Sequence, residues 1–229
     1  MKYFTSLLLL PGVIFAGNIG KNYLGAGLGF IKAGIEVNSV DYDFDGFAFG
    51  LGANFNAIPL EASYGVDISI AVLQGNDLEG NSNVKNNIDS KAEFDVSSFS
   101  ALLRPHTKFG DNIVFVDIGY SYSKSELDQT SGKTSDSDSA FAIGLGAELE
   151  FNNLCFTPSL LWIFNEDEAA DEIDLSEALG LTLPIDYNYS ENVDISFSYS
   201  HIFYESFKVG ASTVEPSADA VTLGLKYKF

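Results

Sequence analysis

With 229 residues the chain has room for one good-sized domain or two small ones, and 12 Lys plus Arg against 32 Asp plus Glu give it a formal charge of −20. That balance excludes nucleic acid as a partner, because almost nothing here can neutralise phosphate. At 46% hydrophobic and 14% aromatic it is too apolar to stay unfolded; 21 glycines among many Tyr and Phe favour strands and tight turns, and a single cysteine, Cys155, excludes an internal disulfide or a cysteine zinc site.

The first stretch, MKYFTSLLLLPGVIFAGN, has one early cation (Lys2), an apolar core from Phe4 to Phe15 and small residues at Ala16 and Gly17. This predicts a secretory signal peptide over 1–17, cut after Ala16 or Gly17, with 18–229 as a single domain. The run is too short to span a bilayer unaided, and no later stretch holds about 18 consecutive apolar residues.

From there on the period is two. FAFGLGANF places Phe47, Phe49, Leu51, Ala53 and Phe55 on one face; FAIGLGAELEF does the same with Phe141, Ile143, Leu145, Ala147, Leu149 and Phe151. Ten such runs are expected, near 22–38, 45–56, 59–73, 91–105, 113–127, 138–151, 154–165, 175–187, 193–207 and 218–229. The first and fourth slip phase near Phe30-Ile31 and Ser97-Ser98, which predicts β-bulges there. Connections alternate between short turns such as NAI and NN and longer polar ones such as QGNDLEGNSNVKNNIDS.

DYDFDG opens like a calcium loop, with Asp41, Asp43 and Asp45 at alternate positions. The twelfth position, where a bidentate acid is needed, is Gly52, and both flanks alternate as strands. The stretch is therefore read as the tip of the first outer hairpin, turned by Asp45-Gly46, with the three aspartates left as weak candidates for a loosely held cation.

Charge separates a membrane barrel from a soluble sandwich. The face carrying Phe, Leu and Tyr is almost free of ionisable groups, whereas Asp67, Arg104, Asp117, Glu148 and Lys226 fall on the face rich in Gly, Ala and Ser. Such a chain fits lipid outside and polar groups inside, and a cation at mid-bilayer on the lipid face would cost about 2–4 kcal/mol. The expected fold is all-β, a closed antiparallel up-and-down transmembrane β-barrel of about ten strands, with eight as the alternative.

The last strand, VTLGLKYKF, resembles the assembly signal of bacterial outer-membrane β-barrel proteins, and FGDNIVFVDIGYSYS is similar to a turn and strand of their small OmpA-like and porin-like members. The resemblance implies a place in the outer membrane, insertion from the periplasmic side, Tyr227 and Phe229 read by the barrel assembly machinery, and lipid and lipopolysaccharide as surroundings. No cofactor is implied.

Candidate chemistry is sparse. His106, in RPHTKFGD, reads as part of a periplasmic turn, and His201 is in phase with the lipid-facing residues. Neither suits an omptin-like protease, and Phe203 stands where a lipid A deacylase needs its serine, so no enzyme is expected. The lumen is the better candidate: Arg104, Glu61, Asp67, Asp117, Glu148, Glu150, Asp186, Asp194 and Lys226 are expected to line it, with Arg104, the only arginine, paired to Glu61 or Asp117. Leu102, Phe115, Leu161, Ile163 and Tyr204 also point inward and can plug it. The expected function is a structural or porin-like barrel with at most passive passage of small solutes or cations. The alternative is a surface adhesion or binding barrel whose acidic loops hold a partner or divalent cations.

Overall fold

The computed structural model describes residues 18–37, 40–60, 64–82, 93–129, 132–166, 177–204, 207–209 and 212–229. The expected signal peptide (1–17), Glu61 and the side chain of Asp41 lie outside this set. The strands are β1 Tyr23–Val37, β2 Val40–Ile58, β3 Tyr64–Ser82, β4 Glu93–Phe109, β5 Asn112–Gln129, β6 Gly132–Phe151, β7 Leu154–Phe156, β8 Ser159–Glu166, β9 Glu177–Asn188, β10 Val193–Tyr204, β11 Phe207–Val209 and β12 Ser212–Lys228. β7 and β8 are one wall strand in two pieces. Pro158 has no N–H to give the ladder, and the gap is bridged by Ala147 N to Pro158 O (3.2 Å) and Thr157 N to Pro184 O (3.0 Å). β10 and β11 likewise pair successive lengths of β12, so ten wall strands result.

Every neighbour is antiparallel, and β1 pairs with β12 from Tyr23↔Lys228 to Val37↔Val214 as well as with β2. The sheet therefore closes on itself and leaves no edge among the wall strands. At one end the turns are short. Gly110 (φ 65°) and Asn152 (φ 54°) sit in the left-handed region that a tight reversal needs and that Gly and Asn tolerate best.

Polarity is inverted relative to a soluble protein. Phe47 is 73% exposed and Leu145 68%, while Arg104 is 2% exposed and Lys226 0%. The outer wall is an apolar band, with Phe30–Phe47 and Tyr120–Phe141 ring contacts on it. Exposed Phe109, Phe151, Tyr189, Tyr227 and Phe229 mark its short-turn rim. Inside, the short-turn end is charged, the middle is Gly- and Ser-rich, and the other end is an apolar collar of Ile31, Phe44, Leu73, Leu78, Phe94 and Ile202.

That collar corrects two expectations. β1 and β4 carry no register shift near Ile31 or Ser98. Their apolar residues change face because the lumen itself turns apolar there: Ile31, Phe94 and Val96 are buried inside. Irregularities fall instead at Asp45/Ala48 and Asn56/Ile58 between β2 and β3, and at Gly75/Leu78 between β3 and β4. The strands also run further outward than their apolar pattern. The β1–β2 ladder continues to Val37↔Val40, so Asp45 and Gly46 are strand residues and not a hairpin tip.

Several lumen glycines are covered by large neighbours. A Cβ on Gly146 would stand 2.2 Å from Phe115 Cζ and 2.7 Å from the Pro158 carbonyl oxygen, and a backbone oxygen cannot swing aside. Gly146→Ala is expected to lower the urea-unfolding free energy by about 1–3 kcal/mol; an unchanged midpoint would show that Phe115 does not fill this layer.

Candidate functional site

Among the described residues, the charged floor of the lumen gathers many buried ionisable groups. Inward positions recur every second residue, and near the short-turn end those positions are Arg104 and His106 on β4, Asp117 on β5, Glu148 on β6, Asp186 on β9, Asp194 on β10 and Lys226 on β12. All are buried.

Arg104 forms a fork with Asp117: Nε donates to Oδ1 at 2.7 Å and the second guanidinium arm to Oδ2 at 3.0 Å. The guanidinium carbon lies 4.2 Å from the centre of the Phe115 ring, so the ion pair rests on an aromatic face. Across the lumen Lys226 donates to Asp186 Oδ2 at 2.9 Å, forms an ion pair with its Oδ1 at 2.8 Å, and stands 5.1 Å from the Tyr23 ring. Lys228 donates to Asp194 at 2.6 Å and to Asn188 Oδ1 at 3.0 Å. The His106 ring donates from Nδ1 to the Arg104 carbonyl at 3.1 Å, so His106 belongs to the floor rather than to the turn predicted for it.

Two carboxylates remain, and the chain's own backbone takes them. Residues 18–22 run across the floor as a strap. Ile19 N donates to Glu148 Oε2 and Gly20 N to Asp67 Oδ2, both at 2.8 Å. Asn18 Nδ2 bridges Asp194 (2.7 Å) and Asp186 (3.3 Å). From β2, Asn54 Nδ2 donates to the Lys21 carbonyl and Asn56 Nδ2 to the Gly20 carbonyl, each at 2.8 Å. Asn18, with φ 61°, bends the strap into place. Neither the strap nor these asparagines stood out in the sequence, although Asn54 and Asn56 are in inward phase near a short turn and so carried a readable signal.

The remaining expected residues divide. Glu150, opposite Cys155 in the β6–β7 register, is exposed at the short-turn rim rather than buried in the floor. Asp43 pairs with Lys32 at 2.8 Å on the outer wall, and among the described residues no group of three or more His, Cys, Asp or Glu is placed to hold a metal. His201 is on the outer wall near the collar, with Nδ1 2.8 Å from Asp219 Oδ1; Tyr199 donates to the same oxygen at 2.7 Å. Beyond the apolar band, at the outer end of the β5–β6 hairpin, bonds from Lys133 and Lys124 hold the Glu126 carboxyl down to about 2.

The model of the outer membrane protein beta-barrel domain matches residues 5–156. The chain belongs to this family. No curated protein matches it. Solved structures share the fold at low identity. The outer membrane protease OmpT of Escherichia coli is 11% identical at a TM-score of 0.57, covering 92% of this chain and 98% of its own. The transport unit of the autotransporter AIDA-I of Escherichia coli is 11% identical at 0.54, covering 100% and 98%. The translocator domain of the autotransporter NalP of Neisseria meningitidis is 10% identical at 0.50, covering 95% and 91%. The chain is an outer-membrane β-barrel, and in such barrels the short turns are periplasmic, which makes the strapped, charged floor the periplasmic end of the lumen.

Proposed function

We propose that this barrel is non-catalytic, structural in its wall and closed to ions, with passive movement of small solutes as the most it allows. The observation that carries this is the floor. Its five buried carboxylates, Asp67, Asp117, Glu148, Asp186 and Asp194, are each held by Arg104, Lys226, Lys228 or a strap N–H. Carboxylates so engaged do not draw cations through, which departs from the cation passage that an acidic lumen suggests. The collar above adds an apolar layer that offers an ion nothing to replace its hydration.

The non-catalytic reading draws support from both histidines. His106 is sealed in the floor, and His201 faces outward, with Asp219 on Nδ1 and the Phe203 ring 4.0 Å away. Neither stands at the outer mouth of the lumen. In planar bilayers the purified barrel is expected to show no unitary currents; sustained cation-selective steps would overturn the reading.

A second reading has one observation in its favour. The β5–β6 ladder continues beyond the apolar band to Gln129↔Gly132, so this acidic hairpin is a firm platform. A surface-binding barrel would use it to hold a partner, lipopolysaccharide or divalent cations.

A further inference from the structure

The middle of the lumen is filled unevenly. On the β4–β9 side large side chains cover the glycines: a Cβ on Gly144 would meet Leu161, one on Gly119 Leu102 and one on Gly180 Ile163. On the opposite side Gly27 and Gly224 face each other in the β1–β12 register, and the nearest atoms to a Cβ on either are all backbone. Beside this bare pair Ser196, Ser198 and Ser200 climb β10, with Ser196 opposite Gly224 and Ser198 opposite Thr222.

Each of these serines is at most 5% exposed, and none of their three hydroxyls has a hydrogen-bond partner within the chain. Leaving one buried hydroxyl unbonded costs more than making a typical hydrogen bond gains, and buried polar groups are almost always satisfied. Ser98, Ser100 and Ser121 of β4 and β5 are without partners too; what sets β10 apart is that its three in sequence stand beside bare glycine, where something else can supply the bonds. Between Lys226 below and Ile31 and Ile202 above, the inward residues of β10, β12 and β1 are Ser, Thr, Gly and Ala, so this lane offers hydroxyls and no fixed charge.

We infer that the β10–β12–β1 lane binds a file of small neutral hydrogen-bonding molecules: water, and solutes of urea or glycerol size. Hydroxyls both donate and accept, which suits such molecules, whereas an ion in the lane has no countercharge to replace its hydration. The inference rests on the closed-to-ions reading above and names its solute class.

The test is stopped-flow light scattering on proteoliposomes after a glycerol or urea gradient, with wild type, Ser198→Val and protein-free vesicles. Wild type is expected to equilibrate several-fold faster than protein-free vesicles, and folded Ser198→Val, whose methyls occupy the lane, to return to the protein-free rate. Wild type at the protein-free rate, or Ser198→Val as fast as wild type, overturns the inference. Ser198→Ala gives an independent check by urea unfolding. An orphaned hydroxyl makes alanine the more stable residue, so a raised midpoint overturns the inference, and a lowered or unchanged one supports it. Unitary ion currents would remove the closed-to-ions reading by themselves, while absent currents with slow equilibration remove only this one.

Discussion

Arg104→Ala is expected to destabilise the barrel by about 3–5 kcal/mol, the range for breaking a buried ion pair from one side. The loss comes less from the missing attraction than from what stays behind. Asp117 is 0% exposed, and both its oxygens accept from the same guanidinium. Alanine leaves that carboxylate in the floor without its fork and leaves the Phe115 ring without the planar cation that lies over it. Arg104→Lys should recover only part of the loss, because an ammonium cannot bond both oxygens in a fork or stack flat on the ring. The double variant Arg104→Met with Asp117→Leu should recover most of it, since an apolar pair of similar volume removes the stranded charge as well. Trp162, the chain's only tryptophan, is on the lipid-facing wall and reports urea unfolding from vesicles by its fluorescence. A single variant as stable as wild type would mean that water already solvates Asp117, contrary to its burial.

Lys226→Met should cost about as much, about 3–5 kcal/mol, for the same physical reason on the opposite wall. Here the damage spreads further. Asp186 loses its cation and keeps only the long 3.3 Å bond from Asn18, the residue that also ties the strap to Asp194. The strap should therefore loosen. Lys21 lies within it, its carbonyl held by Asn54, and offers trypsin a peptide bond that the wild-type floor protects. Faster cleavage after Lys21 together with a lowered midpoint is the expected pair of results. A lowered midpoint with unchanged cleavage would show that the strap is held by Asp67 and Glu148 alone.

The wall was the legible part of this protein. Period-two alternation survives wherever one face meets lipid and the other does not, so Phe47, Leu51 and Leu145 reveal the outer surface, and Arg104 with Asp117 reveals the inner one. Legibility failed where that contrast fades. In the collar the lumen turns apolar while the outer face carries polar residues such as Lys32, Glu93 and Ser97, so Ile31 and Phe94 read as a slipped phase when they had only changed surroundings. At DYDFDG the outer face turns polar with Asp43 and Asp45 while Phe44 enters the collar, so the stretch read as a loop although it is ladder. His106 sits among polar residues that resemble a turn, yet Pro105 and His106 continue β4 down to Phe109. The strap has no periodicity at all, and its partners are spread over five strands, a relation that no window of adjacent residues contains.

That spread also governs how the molecule comes together. Asn18 meets Asp186 and Asp194 across sequence separations of 168 and 176 residues, whereas consecutive wall strands meet through local hairpins. Hairpins close quickly, because little chain entropy is lost in joining neighbours, and contacts between distant parts of a chain come late. The floor can be laid only once β9 and β10 have arrived beside β12, so an assembling barrel passes through a stage in which the wall is largely paired and its periplasmic end still stands open.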